Sequence, residues 1–294
     1  MDSEPFLTNA RAAVDAALHE LIPTLDELPY SSLFASARYS LLSPGKRIRP
    51  LLALAVVNSY GLSLDHALHP ACALEMVHTY SLIHDDLPCM DDDDLRRGRP
   101  SLHKIVPEWH ALLTGDYLLT YAFEVLANAP HLDAGQKLAL VRSLSSHAGA
   151  HGMIGGQMID LHFEGQAADW GILEQMHRGK TAGLITAALE FGGIVAKAPL
   201  SDMASLKKAG TALGVAFQLI DDVLDCTSTE EKLGKPIGSD QEKAKTTAVS
   251  LLGIPKAKEK ATTLLEKALQ ELQALSHPSP LLLALFDQMV NRHK

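Results

Sequence analysis

A chain of 294 residues is long enough to bury a sizeable core, as one large domain or two smaller ones. With 26 basic against 35 acidic residues and a formal charge of −9, it lacks the basic footprint of a non-specific nucleic-acid binder. Its three cysteines, Cys72, Cys89 and Cys226, show no paired spacing, which argues against a disulfide framework or a zinc site and for a reducing, cytoplasmic compartment.

The opening MDSEPFLTNAR is acidic and polar and shows no secretory signal. Apolar residues then recur at i, i+3 and i+4 through SLFASARYSLL (32–42), PLLALAVVNSY (50–60), ACALEMVHTYSLIHDD (71–86) and DYLLTYAFEVLANA (116–129). The same spacing continues in KLALVRSLSSHAGAHGMIGGQMIDLHFEG (137–165), ITAALEFGGIVAKA (185–198), MASLKKAGTALGVAFQLIDDVLD (203–225) and AKEKATTLLEKALQELQAL (257–275). It predicts amphipathic helices. The longest strongly apolar run, LLALAVV at 51–57, is too short to span a bilayer. Period-2 segments closed by Asn-Gly or Asp-Gly turns are absent, so no sheet is expected. Prolines such as Pro44, Pro70, Pro88, Pro107 and Pro130 mark natural helix boundaries, since proline removes a backbone donor and restricts the residue before it. The expectation is an all-α fold of about ten or more helices in a single domain, 1–294. One long polar interval, STEEKLGKPIGSDQEKAKT (228–246), reads as a loop that is disordered or orders around a ligand.

Two acidic stretches interrupt this pattern. In HDDLPCMDDDDLRRGRP (84–100), Asp85, Asp86 and Asp91 to Asp94 follow an apolar lead-in, and Arg96, Arg97 and Arg99 come after them. In AFQLIDDVLD (216–225), Asp221 and Asp225 share a helix face by their i, i+4 spacing, with Asp222 between them and Gln218 one turn earlier. Carboxylates packed this closely repel and need a counter-charge. Mg²⁺ suits them, because it takes oxygen ligands from one or two carboxylates, waters and phosphates. A solvated helix end is the plain alternative for either cluster alone, but two such clusters with basic groups nearby disfavour it. Those groups are Lys46, Arg47 and Arg49 in SPGKRIRP; His177, Lys180 and Thr181 in HRGKT; and Lys235, Lys243 and Lys245 in the polar interval. Carboxylates, a hard cation and several Arg and Lys residues together suit a diphosphate ligand.

In order along the chain, GKRIRP, HDDLPCMDDDDLRRG, GGQMIDL, HRGKT, FQLIDDVLD and LGKPIGSDQEKAKTT resemble the blocks of the trans-isoprenyl diphosphate synthases, closest to the bacterial farnesyl and related geranylgeranyl group. The second and fifth look like its DDxxxxD and DDxxD motifs. Pro44 and Cys89 depart from common family residues without touching a charged position. The resemblance implies an isoprenoid synthase helical bundle around a central cavity, a homodimer, and Mg²⁺, three ions with Mn²⁺ as a possible substitute. It implies metal binding by Asp85, Asp86 and Asp91 and by Asp221, Asp222 and Asp225. Arg96, Lys180, Thr181, Gln218, Lys235 and Lys245 would contact the allylic diphosphate; Lys46, Arg49, His78 and Arg97 would bind isopentenyl diphosphate. Asp85, Asp91, Lys180 and Asp221 would carry the catalysis, with Gln157 and Asp160 lining or bracing the site.

The implied reaction is ionisation of an allylic diphosphate, attack by the double bond of isopentenyl diphosphate, and proton loss, behind a lid formed by 228–246 and the C-terminal NRHK. Tyr80, with Ser81 beside it, precedes Asp85 by five residues, about 7.5 Å of helix. The resemblance implies that an aromatic residue here limits the product to C15 (farnesyl), the alternative being C20 (geranylgeranyl). A terpene cyclase would not need the second DDxxD together with GKRIRP. A non-catalytic regulatory subunit would lack the aspartate motifs, which are complete here.

Overall fold

Helices form almost everywhere the apolar spacing predicts them in the computed structural model, which describes residues 3–25, 27–227 and 246–290. Lys235, Lys243 and Lys245, with the rest of 228–245, and the terminal NRHK lie outside the described residues. The chain divides into two compact units, Met1–Val141 and Arg142–Lys294.

The first unit holds α1 (Ser3–Leu21), α2 (Ser31–Leu41), α3 (Ile48–Ser59), α4 (Asp65–Asp85), α5 (Leu102–Ile105) and α6 (Glu108–Ala127). α4 packs against α1, α2, α3 and α6. The run Leu51 to Val57 on α3 is wholly buried, as expected of a helix that is apolar all round. α1 falls in a stretch whose opening reads as acidic and polar, yet Leu7, Ala10, Val14 and Leu18 hold helical spacing and all are buried.

Two expectations need correction here. Pro70 lies buried inside α4 rather than at a joint; near the helix start a proline forfeits one N–H bond. A small antiparallel ribbon also exists, β1 (Leu95–Arg96) against β2 (Arg99–Pro100). Its two-residue turn is Arg97-Gly98, both at positive φ (53° and 74°), so Arg-Gly takes the place of the Asn-Gly or Asp-Gly sought in the sequence.

The boundary between the units falls within α7 (Ala134–Ala148). The long periodic segment 137–165 is two helices, because Gly149 to Gly152 separate α7 from α8 (Met153–His162). The second unit continues through α9 (Trp170–His177), a π-helical turn (Arg178–Ala182), α10 (Gly183–Val195), α11 (Leu200–Thr227), α12 (Ala248–Leu252), α13 (Ile254–Gln273) and α14 (Pro280–Val290). α11 is its axis, packed by α9, α10, α12, α13 and α14. Leu173, Ala182, Val215, Leu219, Val223, Ala248, Ala257 and Ala261 form one core cluster, which holds the acidic end of α11 in place.

Candidate active site

Asp85 ends α4 and Asp86 caps it. The Asp91 N–H then donates to the Asp85 carbonyl at 2.8 Å, so the chain folds back and returns Asp91 to the helix end. Beyond the turn, Arg96 Nε donates to Asp86 Oδ1 at 2.9 Å, and its Nη2 bonds the same oxygen and Asp93 Oδ2. Burial pushes the Asp86 carboxyl up and the Arg96 bond pulls it back. Asp85 and Asp91 are half-buried, whereas Asp86 is buried and paired with Arg96.

A second group of cations gathers higher on α4. Arg47, in left-handed backbone at φ 51°, donates from Nε to Asp15 and from Nη1 to Glu75, each at 2.8 Å. Glu75 also draws Arg97, 3.8 Å away. Among the described residues Arg49 Nε has no hydrogen-bond partner though buried, and desolvation lowers the Arg49 guanidinium to about 10, with Glu75 opposing and Arg97 assisting. His78 is driven well below the usual imidazole range by desolvation and then by Arg49, Arg97, Arg96 and Arg47. The GKR loop passes so close that a Cβ on Gly45 would stand 2.7 Å from Arg97 Nη1. Lys46 is exposed on that loop. Three guanidiniums, those of Arg47, Arg49 and Arg97, thus share one buried carboxylate, and four bear on the neutral His78, a surplus of positive charge suited to a multivalent anion. A cleft is lined by Thr79, Ile83, Asp86, Arg96, Arg97 and Ser101, among others. Glu75, absent from the sequence-derived candidates, did leave a signal: a lone acid inside the apolar ACALEMV.

Tyr80 is buried, 5% exposed, with its ring edge-on to His84 and its hydroxyl without a hydrogen-bond partner among the described residues. Ser81 Oγ donates to the His78 carbonyl at 2.8 Å, one turn back on its own helix.

In the second unit the HRGKT stretch is not plain α-helix. Its widened π turn, a feature frequent at functional sites, carries Lys180 and Thr181. Gly156 makes room for it, since a Cβ there would collide with the Lys180 backbone. Lys180 Nζ lies 2.5 Å from Asp160 Oδ2 on α8. Thr181 Oγ1 donates to Gln218 Oε1 at 3.0 Å, and Gln218 Nε2 donates to Asp222 Oδ1 at 3.1 Å. The Ala248 N–H donates to the other Asp222 oxygen at 2.8 Å, tying α12 to α11. Gln218 therefore meets Asp222, one turn on, rather than standing with Asp221. Asp222 and Asp225 are buried and Asp221 is half-buried. Asp160, His177, Lys180, Thr181, Gln218, Asp222, Thr246 and Thr247 line much of an open, partly polar cavity. Both ring nitrogens of His177 and both amide atoms of Gln157 are buried without hydrogen-bond partners among the described residues. Burial lowers His177 to about 4, against the pull of Asp160 and Glu174.

A family model described as polyprenyl synthetase matches residues 31–278, across both acidic stretches. The chain belongs to the polyprenyl synthetase family. It is an all-α prenyltransferase of that chain-elongating family. Farnesyl diphosphate synthase of Bacillus subtilis (strain 168) is 42% identical over 289 residues, which cover 98% of this chain and 97% of the relative. Geranylgeranyl diphosphate synthase of Cyanophora paradoxa is 40% identical over 290 residues, 98% and 96% of the two chains. The solved structure of a Helicobacter pylori geranyltransferase, complexed with magnesium and isoprenyl diphosphate, superposes with a TM-score of 0.84 at 36% identity, over 99% of this chain and 97% of that one.

Proposed function

We propose that this polyprenyl synthetase joins isopentenyl diphosphate head to tail to dimethylallyl and then geranyl diphosphate, releasing farnesyl diphosphate. Tyr80 carries the product length: its 5% exposed ring lies on α4 five residues ahead of Asp85. That is about 7.5 Å along the helix, where an isoprenoid tail running inward from Asp85 would meet it. The second reading is a geranylgeranyl product, favoured by the 40% identity to the Cyanophora enzyme against 42% to the Bacillus one.

Arg49, His78 and Arg97, with Lys46, hold isopentenyl diphosphate in this reading; the support is the cation surplus around Glu75. Arg96, Lys180, Thr181 and Gln218, with Lys235 and Lys245, hold the allylic diphosphate. Lys180, steadied by Asp160, meets the negative charge that builds as the diphosphate leaves. The allylic cation is attacked by the double bond of isopentenyl diphosphate, and the lost proton goes to the released diphosphate. The apolar wall of α4, with Ile83 and Tyr80, keeps water from quenching the cation.

The donor chemistry at Asp85 and Asp91 fits Mg²⁺, since two carboxylates are returned to one helix end and oxygen is the ligand that ion prefers. Three ions are proposed, with Mn²⁺ as a substitute, held by Asp85, Asp86 and Asp91 and by Asp221, Asp222 and Asp225. Bound there, Mg²⁺ supplies charge neutralisation to the departing diphosphate. Asp86, already paired with Arg96, has the weaker claim to direct ligation.

The family model runs through both units without a break, which supports a single catalytic domain over 1–294. A homodimer is supported by Trp109, Leu112 and Leu113, at helical spacing on α6 and 64%, 44% and 50% exposed. The free cysteines support the cytoplasm as its compartment. No helix among the described residues is long and apolar enough to cross a membrane.

The deciding experiment incubates the purified protein with Mg²⁺, isopentenyl diphosphate and a C5, C10 or C15 allylic primer, and measures product length. C15 from the two shorter primers is expected. A C20 product would overturn the farnesyl reading, and no Mg²⁺-dependent condensation with any primer would overturn the reaction itself.

A further inference from the structure

We propose that Asp92, Asp94 and His103 form a second kind of metal site, one that takes an ion accepting imidazole nitrogen, such as Co²⁺, Zn²⁺ or Mn²⁺. It shares no residue with the carboxylates assigned to Mg²⁺ and goes beyond the reaction proposed above.

One ligand atom from each of the three residues lies within 4.8 Å of the other two. His103 is the telling member. Its side chain is only 4% exposed, and among the described residues neither Nδ1 nor Nε2 has a hydrogen-bond partner. A buried imidazole left in this state carries an uncompensated desolvation cost. Nε2 is 3.9 Å from Asp92 Oδ1, too long for a hydrogen bond. An ion about 2.0–2.1 Å from each of two tetrahedral ligands sets them about 3.3 Å apart, so a small closure of the exposed aspartates completes the site.

The donor set decides the class of ion. Mg²⁺ prefers oxygen and retains its waters, whereas a mixed set of one imidazole and two carboxylates suits the transition ions. Asp92 and Asp94 have side chains 60% and 76% exposed, which leaves an open path for entry. The resident competitor is Lys104, whose Nζ lies 2.6 Å from Asp94 Oδ1. A bound ion would tie the Asp92 to Asp94 turn to α5. The ribbon that presents Arg96 and Arg97 lies between those two anchors, so the ion would brace it.

The test titrates the full-length protein, in a Cys89→Ser background that removes the exposed neighbouring thiol, with Co²⁺ in excess Mg²⁺ and no diphosphate. Visible absorption reads the ion's ligand field. One Co²⁺ equivalent is expected, retained in Asp85→Asn and weakened by about tenfold or more in His103→Gln. The Asp92→Asn/Asp94→Asn double variant should weaken it likewise, which keeps the test decisive if His103→Gln fails to fold. Lys104→Gln should tighten binding about two- to fivefold by releasing Asp94. Three results would each overturn the site: no Co²⁺ equivalent in excess Mg²⁺, an equivalent indifferent to both the His103 and the double variant, or one lost in Asp85→Asn. Because the readout is binding without diphosphate, its failure is distinct from failure of the prenyl-transfer reading.

Discussion

Arg47 and Glu75 meet at 2.8 Å with both side chains 2% exposed, an ion pair sealed between α3 and α4. The same carboxylate also faces Arg97 and raises the Arg49 guanidinium against burial. Glu75→Gln would leave several cations to share Asp15 and water. The expected cost is about 3–5 kcal/mol, the range for stranding a buried charge. Denaturant unfolding checks it; a loss under about 1 kcal/mol would mean that Asp15 alone suffices for Arg47.

Asp160 is expected to act through Lys180, which it holds at 2.5 Å. Asp160→Asn should keep the fold while kcat falls about tenfold or more, because a misplaced cation no longer meets the leaving group. Steady-state kinetics with the allylic primer varied separates this from a change in KM alone. An unchanged kcat would show that Asp160 does not position Lys180 for the reaction.

At Tyr80 the ring and the hydroxyl should behave oppositely. The buried hydroxyl has no partner, so Tyr80→Phe should leave product length unchanged and shift stability by no more than about 1 kcal/mol, in the stabilising direction. Tyr80→Ala should lengthen the product, read by chromatography of the dephosphorylated prenols. Unchanged chain length in that variant would refute Tyr80 as the floor.

Gly156→Ala should act as a mutation of the neighbouring turn, because its new methyl would sit 2.7 Å from Lys180 Cα. A destabilisation of about 1–3 kcal/mol is expected, together with loss of kcat, since backbone there cannot give way as a flexible side chain would.

Acid should destabilise the fold through its buried histidines. Burial holds His177 at about 4 and lowers His78 as well, so the folded state binds fewer protons than the unfolded chain below about pH 6.5. Stability from these groups is complete above that pH and declines as pH falls toward the folded values. His177 alone should account for about 2 kcal/mol at pH 5. Denaturant midpoints at pH 7.5 and 5 measure the loss, and His177→Gln should shrink it; an equal loss in that variant would exclude His177 as a source.

The helical class, both acidic stretches and the basic residues around them were legible in the sequence, because periodicity and motif spacing are local properties. α1 was not read from the sequence: Leu7, Ala10, Val14 and Leu18 keep its period, but the polar residues between them obscure it. The Arg97-Gly98 ribbon was hidden because a left-handed arginine is intrinsically costly, and only its surroundings make that conformation worthwhile.

The division of labour among like charges was decided by tertiary structure alone. Arg47 and Arg49 stand two residues apart, yet Arg47 is bound by Glu75 and Asp15 while Arg49 Nε has no hydrogen-bond partner. Asp85 and Asp86 are neighbours, yet Asp86 is buried against Arg96 while Asp85 is only half-buried. Charge pairing depends on distance and local dielectric, and here both are set by groups such as Glu75 and Arg96, which packing brings in from elsewhere in the chain. Which charges exist, and that helices carry them, follows from the order of the residues; which of them are already paired follows from packing.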